Sequence, residues 1–132
     1  METDSVQRQE RLRSISEIYF SGMAKKDMSD VPWAEDVILH SPLAPGGLDT
    51  PLVGASAVRE FFESLYPVLG DIKVIEHYFN EDLSAIATRS DVGLTDPPCV
   101  LRVVDRFRVD PEGRIIEQEN HYDPRPATGD SN

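Results

Sequence analysis

The chain has 132 residues, a length that supports one good hydrophobic core but not two, so a single domain over residues 1–132 is expected. Thirteen Lys and Arg stand against 24 Asp and Glu, a formal charge of −11. A polyanion of this kind is repelled by phosphate backbones and anionic lipid, which argues against nucleic-acid and membrane-surface partners.

No apolar run approaches the roughly 20 residues of a spanning helix. The opening METDSVQRQERLR has no apolar core of the kind a secretion signal carries. Cys99 is the sole cysteine, cannot form an internal disulfide and reads as a small core residue. Together these point to a cytoplasmic location. Residues 1–5 and the tail from Pro124 show no periodicity and are expected to be mobile, which leaves an ordered core over about 6–123.

The first element is a helix from Val6 to Lys26. Leu12, Ile15, Tyr19 and Met23 recur at steps of three and four and form one apolar stripe, with Ile18 and Gly22 beside it. Pro32 then interrupts, so Val31–Glu35 reads as a turn or short helix around Trp33. Val37–Ser41 reads as a strand and Pro42–Pro51 as a loop. A second helix covers Ala55 to Tyr66, where Val58, Phe61, Phe62 and Leu65 make the i, i+3, i+4, i+7 pattern; Pro67 ends it.

From Asp71 onward the chain alternates strands with turn formers. The strands are Ile72–Phe79, Leu83–Val92, Cys99–Val109 and Arg114–Tyr122. Asn80-Glu81-Asp82, Asp96-Pro97-Pro98 and Asp110-Pro111-Glu112-Gly113 join them. Helices followed by an antiparallel meander define an α+β fold rather than a parallel βαβ protein.

The run Cys99–Val109 is the most informative. Its odd positions are Cys99, Leu101, Val103, Asp105, Phe107 and Val109, and its even positions are rich in arginine. Odd residues share a face, so Asp105 stands alone on an apolar surface. Such a carboxyl either is satisfied by an arginine or a backbone amide, or stays protonated and serves as an acid.

Three strings carry a resemblance. VGASAVREFF leads into the second helix, VVDRFRVDPEGRI spans the last hairpin, and the final strand ends HYDP. Over roughly Arg8 to Asp123 the chain resembles the SnoaL-like branch of the nuclear transport factor 2-like superfamily, which includes ketosteroid isomerase and limonene-epoxide hydrolase. The resemblance implies a cone-shaped, curved antiparallel sheet wrapped round the N-terminal helices, the cystatin-like α+β barrel, enclosing a pocket. It also implies a homodimer paired through the open sheet face, where Arg102, Arg106 and Arg108 could meet acidic residues of the other copy.

Beside ketosteroid isomerase, Tyr19 falls at the oxyanion-binding tyrosine and Asp105 at the neutral, hydrogen-bond-donating aspartate, a carboxyl that the apolar surroundings of that enzyme keep protonated. Its base, an aspartate directly before a proline, is Ser41 before Pro42 here. His40 is the neighbouring titratable group and the expected base if its ring faces inward, although strand alternation sets His40 and Ser41 on opposite faces. Beside limonene-epoxide hydrolase, TRSDVG resembles the Arg-x-Asp pair, giving Arg89 and Asp91; the second carboxylate is replaced by Asn120, and an amide cannot accept that proton.

The expected catalytic residues are thus His40, Asp105, Tyr19, Arg89, Asp91 and Asn120. Trp33, Phe62, Tyr66, Phe107, Gln118 and Tyr122 are expected to pack the core or wall the pocket and contact substrate. His77 and His121 alternate with aromatics on strands and read as structural. No metal-ligand spacing and no phosphate loop is present, so no metal and no cofactor is expected. The resemblance implies acid–base chemistry of isomerase, cyclase or dehydratase type on a small apolar molecule. Epoxide hydrolysis and a non-catalytic ligand-binding or dimerisation module are the alternatives.

Overall fold

The computed structural model describes residues 2–129, with side chains from Asp4 onward. Helix α1 (Glu2–Lys25) is followed by strand β1 (Trp33–His40), the short β2 (Leu52–Val53) and helix α2 (Ala55–Leu65). A 3₁₀ turn (Tyr66–Val68) leads into the strands β3 (Leu69–Phe79), β4 (Ala85–Thr95), β5 (Pro98–Val109) and β6 (Ile115–His121), and a one-turn helix α3 (Arg125–Thr128) closes the described chain.

The six strands form one curved, unclosed sheet in the order β2-β1-β6-β5-β4-β3. Strands β3 to β6 are the expected antiparallel meander, but β1 joins β6 in parallel, so the sheet is mixed. A parallel pair needs a long crossover, and α2 with the whole meander provides it. Register shifts between Leu69 and Ile72, between Val74 and Glu76, and between Arg108 and Val109 mark irregularities of the kind that bend a sheet.

The helices lie in the hollow of this sheet. Leu12, Ile15, Tyr19 and Met23 of α1 are buried as their spacing predicts, and Phe20 joins them; Ile18 sits on the opposite side and is exposed. Val58, Phe61 and Phe62 bury the inner face of α2. Tyr19 is the hub, in edge-on contact with Phe20, Trp33, Phe62 and Phe107 at 4.8–6.4 Å between ring centroids. Trp33 and Phe62 stack with planes 2° apart. Helix α1 stops where Lys26 adopts φ 59° and the Asp27 N–H bonds back to the Gly22 carbonyl at 2.9 Å. A side chain on Gly22 would meet that same turn at 2.9 Å, so the close approach requires glycine.

Beyond the added two-residue β2 and shifts of up to three residues at other element ends, three elements differ from the sequence reading. Trp33 begins a strand, not a turn or short helix: Pro32 donates no amide, but its carbonyl accepts from Ile115 and so starts the β1–β6 ladder. The first helix begins at Glu2 rather than at Val6. The stretch after Pro124 is helical over Arg125–Thr128, because the Asp123 carboxylate accepts hydrogen bonds from both the backbone and the guanidinium of Arg125 at 2.7–3.0 Å. Met1 and residues 130–132 of the expected tails lie outside the described residues.

Candidate functional site

A cavity of about 220 Å³ opens between the helices and the inner face of the sheet. The parity of each strand decides what reaches it. Thr95 pairs with Pro98 across a turn of only Asp96 and Pro97, which fixes the β4–β5 register: Asp105 faces Thr88, Val103 faces Ser90, and Leu101 faces Val92. Directly opposed residues share a sheet face, so odd residues of β5 and even residues of β4 point inward together. Leu101, Val103 and Asp105 line the cavity as a result, with Val92 and Leu94 from β4.

Asp105 is 2% exposed. Its one hydrogen bond among the described residues comes from the facing Asn120, whose Nδ2 donates to Oδ1 at 2.5 Å. No arginine among the described residues reaches it. Burial pushes the Asp105 carboxyl up to about 7, and the hydrogen bond from Asn120, which favours the anion, opposes only part of that rise. Near neutral pH this group exists in both protonation states.

Tyr19 lines the same cavity, and burial raises its phenol well above the ordinary value, with the Asp105 charge adding to the rise and the amides of Gln118 and Asn120 opposing it. Tyr122 stands nearby; burial pushes its phenol to about 12, and the Ser41 hydroxyl and Leu43 amide pull it back. Ser41 is 1% exposed, lines the cavity and leaves Oγ without a well-aligned hydrogen bond. The polar wall is therefore a carboxyl, an amide, two phenols and a hydroxyl; Phe61, Phe62, Leu65, Leu69 and Met23 make most of the rest. Asp96, exposed on the β4–β5 turn, is the other carboxyl of the lining, and no cationic side chain among the described residues belongs to it.

Of the expected site, the structure brings Asp105, Tyr19, Asn120, Phe62 and Tyr122 together at this cavity. His40 is elsewhere. It pairs with Glu119 in register, and Glu119 belongs to the outer face of the sheet, so the His40 ring turns outward and its Nδ1 bonds the Leu48 carbonyl at 2.9 Å. Ser41, one residue on, takes the inward position.

Arg89 and Asp91 are odd residues of β4 and likewise occupy the outer face. There Nη1 lies 2.9 Å from Asp91 Oδ1 and also donates to the Ser90 carbonyl, a partly exposed ion pair remote from the cavity. Trp33, Phe107, Gln118 and Tyr66 pack around the cavity without lining it. Gln118 Oε1 accepts from the Trp33 indole at 2.9 Å, and the Tyr66 hydroxyl accepts from the Met28 amide at 3.1 Å.

Cys99 is half-buried. His77 Nδ1 meets Thr88 Oγ1 at 2.8 Å, and Ser16 meets the same hydroxyl at 2.7 Å; His121 Nε2 pairs with Glu119. The sequence reading missed Leu101 and Val103 as lining residues, although they share the parity of Asp105, and it missed Asp96 and Ala127 altogether.

Against known families, residues 17–118 match the model of the SnoaL-like domain. The chain belongs to the SnoaL-like family. Its fold is shared by a steroid delta-isomerase from Pseudomonas aeruginosa (20% identity over 88% of this chain and 82% of that one, TM-score 0.71). The epoxide hydrolase/cyclase-like enzyme SalBIII, which has a role in pyran ring formation in the polyether salinomycin, is equally similar (20% identity, 87% and 92% covered, TM-score 0.71). A protein of unknown function with a cystatin-like fold from Methylobium petroleophilum PM1 aligns at 15% identity, 86% and 76% coverage and a TM-score of 0.73. No curated protein matches the chain. At these identities the SnoaL-like fold is what is shared, with isomerase and cyclase members among its neighbours.

Proposed function

We propose that the cavity binds a small, uncharged, mainly apolar molecule bearing an oxygen function, and that Asp105 exchanges a proton with it in an isomerase-, cyclase- or dehydratase-type reaction. The observation that carries this reading is the buried carboxyl of a mainly apolar cavity, held to about 7 by burial and bonded on one oxygen only. Near neutral pH the ionised form can take a proton from the ligand and return it, so one carboxyl serves as base and then acid. Tyr19, whose anion is disfavoured, remains a donor to negative charge forming on a ligand oxygen, and Asn120 holds the carboxylate in place. A lining with two carboxyls and no cation disfavours anionic ligands.

Proton exchange is the test because it requires no knowledge of the product. In D₂O, NMR follows deuterium entering 3-cyclohexenone next to its carbonyl, with wild type compared against Asp105→Asn and Tyr19→Phe. Enzyme-dependent exchange is expected. It should fall by at least about a hundredfold in Asp105→Asn and by a similar order in Tyr19→Phe. Exchange that is equally fast in Asp105→Asn would refute the assignment.

Binding without chemistry is the second reading. It is favoured by one specific feature: the neighbour in sequence expected to act as a separate base, His40, bonds a loop carbonyl on the outer face. In that case wild type binds the ketone and shows no exchange. Pairing of two copies through the outer sheet face belongs to both readings; Tyr78, Val100 and Val104, 52%, 59% and 38% exposed, supply apolar surface for it.

A further inference from the structure

We infer that the segment after the last strand is the specificity wall of the cavity, and that Ala127 on α3 sets how large a ligand it admits. This inference rests on the reading of the cavity as a ligand site. Tyr122 and Ala127 both line the cavity, and both follow the last strand, which ends at His121.

The segment is built as a fixed wall. Asp123 clamps Arg125 through its backbone and its guanidinium. Pro124 accepts the amides of Ala127 and Thr128 at 2.9 and 3.1 Å, and Gly129 ends the turn at φ 84° with its N–H on the Arg125 carbonyl at 3.0 Å. Two prolines in six residues lower the entropy lost on ordering it. Burial alternates accordingly: Tyr122, Pro124 and Ala127 are half-buried, whereas Asp123, Arg125, Pro126 and Thr128 are exposed. The helix packs against β5, so Ala127 faces the strand that carries Leu101, Val103 and Asp105.

Size gives the residue its leverage. A dry apolar cavity of roughly 150 Å³ holds benzene. At about 220 Å³ this one has room for a fused two-ring molecule, and that room exists because the wall carries a methyl group where a larger side chain would project inward. A phenyl group at position 127 occupies more than the whole difference between the two volumes.

The test titrates benzene and indole into the full-length wild type, Ala127→Leu and Ala127→Phe, reading amide and methyl NMR shifts. Wild type is expected to bind both probes saturably. Ala127→Leu should weaken indole more than benzene, and Ala127→Phe should weaken indole at least tenfold; the leucine variant carries the test if the phenylalanine variant does not fold. Unchanged affinity for both probes in both variants overturns the inference. If wild type binds neither probe, the ligand-site reading fails, and the wall is then judged on the Leu101 and Val103 methyl resonances. Movement of those signals in the leucine variant upholds a wall at Ala127, and unmoved signals overturn it.

Discussion

At pH 8 the Asp105 carboxyl must be an anion inside an apolar wall, while at pH 4 it can stay neutral there. Its folded value of about 7 lies above the 3.8 of a free aspartate, so the native state holds a proton between those limits that the unfolded chain has released. The contribution of this group to stability is greatest below about pH 3.8, declines as pH rises through about 7 and is flat above. The gap between the folded and free values corresponds to roughly 4 kcal/mol, an upper scale because water entering the cavity would lessen it. Asp105→Asn keeps an acceptor for Asn120 and removes the ionisation. Urea unfolding is therefore expected to find Asp105→Asn more stable than wild type at pH 8, by up to a few kcal/mol, with the gap closing near pH 4. A variant less stable than wild type at pH 8 would mean that the anion is better paired than the Asn120 bond alone allows.

At the scale of elements, α1 is fastened to the far ends of two hairpins by one side chain. Arg8 donates Nε to the Leu83 carbonyl at 2.9 Å, Nη1 to Asp110 at 3.1 Å and Nη2 to Val109 at 2.9 Å. A planar guanidinium serves three carbonyls in one fixed geometry, which an ammonium cannot reproduce. Arg8→Ala is expected to cost about 2 kcal/mol in urea unfolding, and Arg8→Lys should recover less than half of it; full recovery by lysine would show that charge alone matters.

What the sequence revealed, and what it hid, divides along the same lines. The apolar stripes of both helices and the four meander strands were legible because period 3.6 and period 2 are local properties. The inward setting of Asp105 was legible for the same reason. Arg89, Asp91 and His40 were misplaced because facing depends on cross-strand register. For β4 the signal was present: once Asp96-Pro97 is taken as the whole turn, Thr88 must oppose Asp105 and Arg89 must point out. For His40 it was present only in part: the parity of Val37, Leu39 and Ser41 sets His40 on the other face, but the β1–β6 pairing that fixes that face as the outer one joins segments nearly eighty residues apart. The wall at Ala127 was hidden for a related reason, because one helical turn has no periodicity to read.

For the molecule as a whole, the sheet has one face against the helices and one face turned out. On the outer face Arg106 already pairs with Glu117 and Glu119, and Arg108 lies 3.5 Å from Glu117. Those two arginines are therefore engaged within their own chain rather than kept for acidic residues of a partner, which leaves the valines and Tyr78 as the apolar surface for the proposed pairing. Light scattering is expected to give twice 14.8 kDa for wild type and a monomer for Val104→Asp; a wild-type monomer at micromolar concentration would remove the paired arrangement.

The proposed chemistry stands on a carboxyl that titrates near neutrality in an apolar chamber. Its most direct test is the Asp105 side-chain carbonyl signal, followed by ¹³C NMR across pH 3 to 9 and assigned through Asp105→Asn. A midpoint close to 7 that moves when cyclohexanone is added is expected. A midpoint near 4, unmoved by the ketone, would contradict the account.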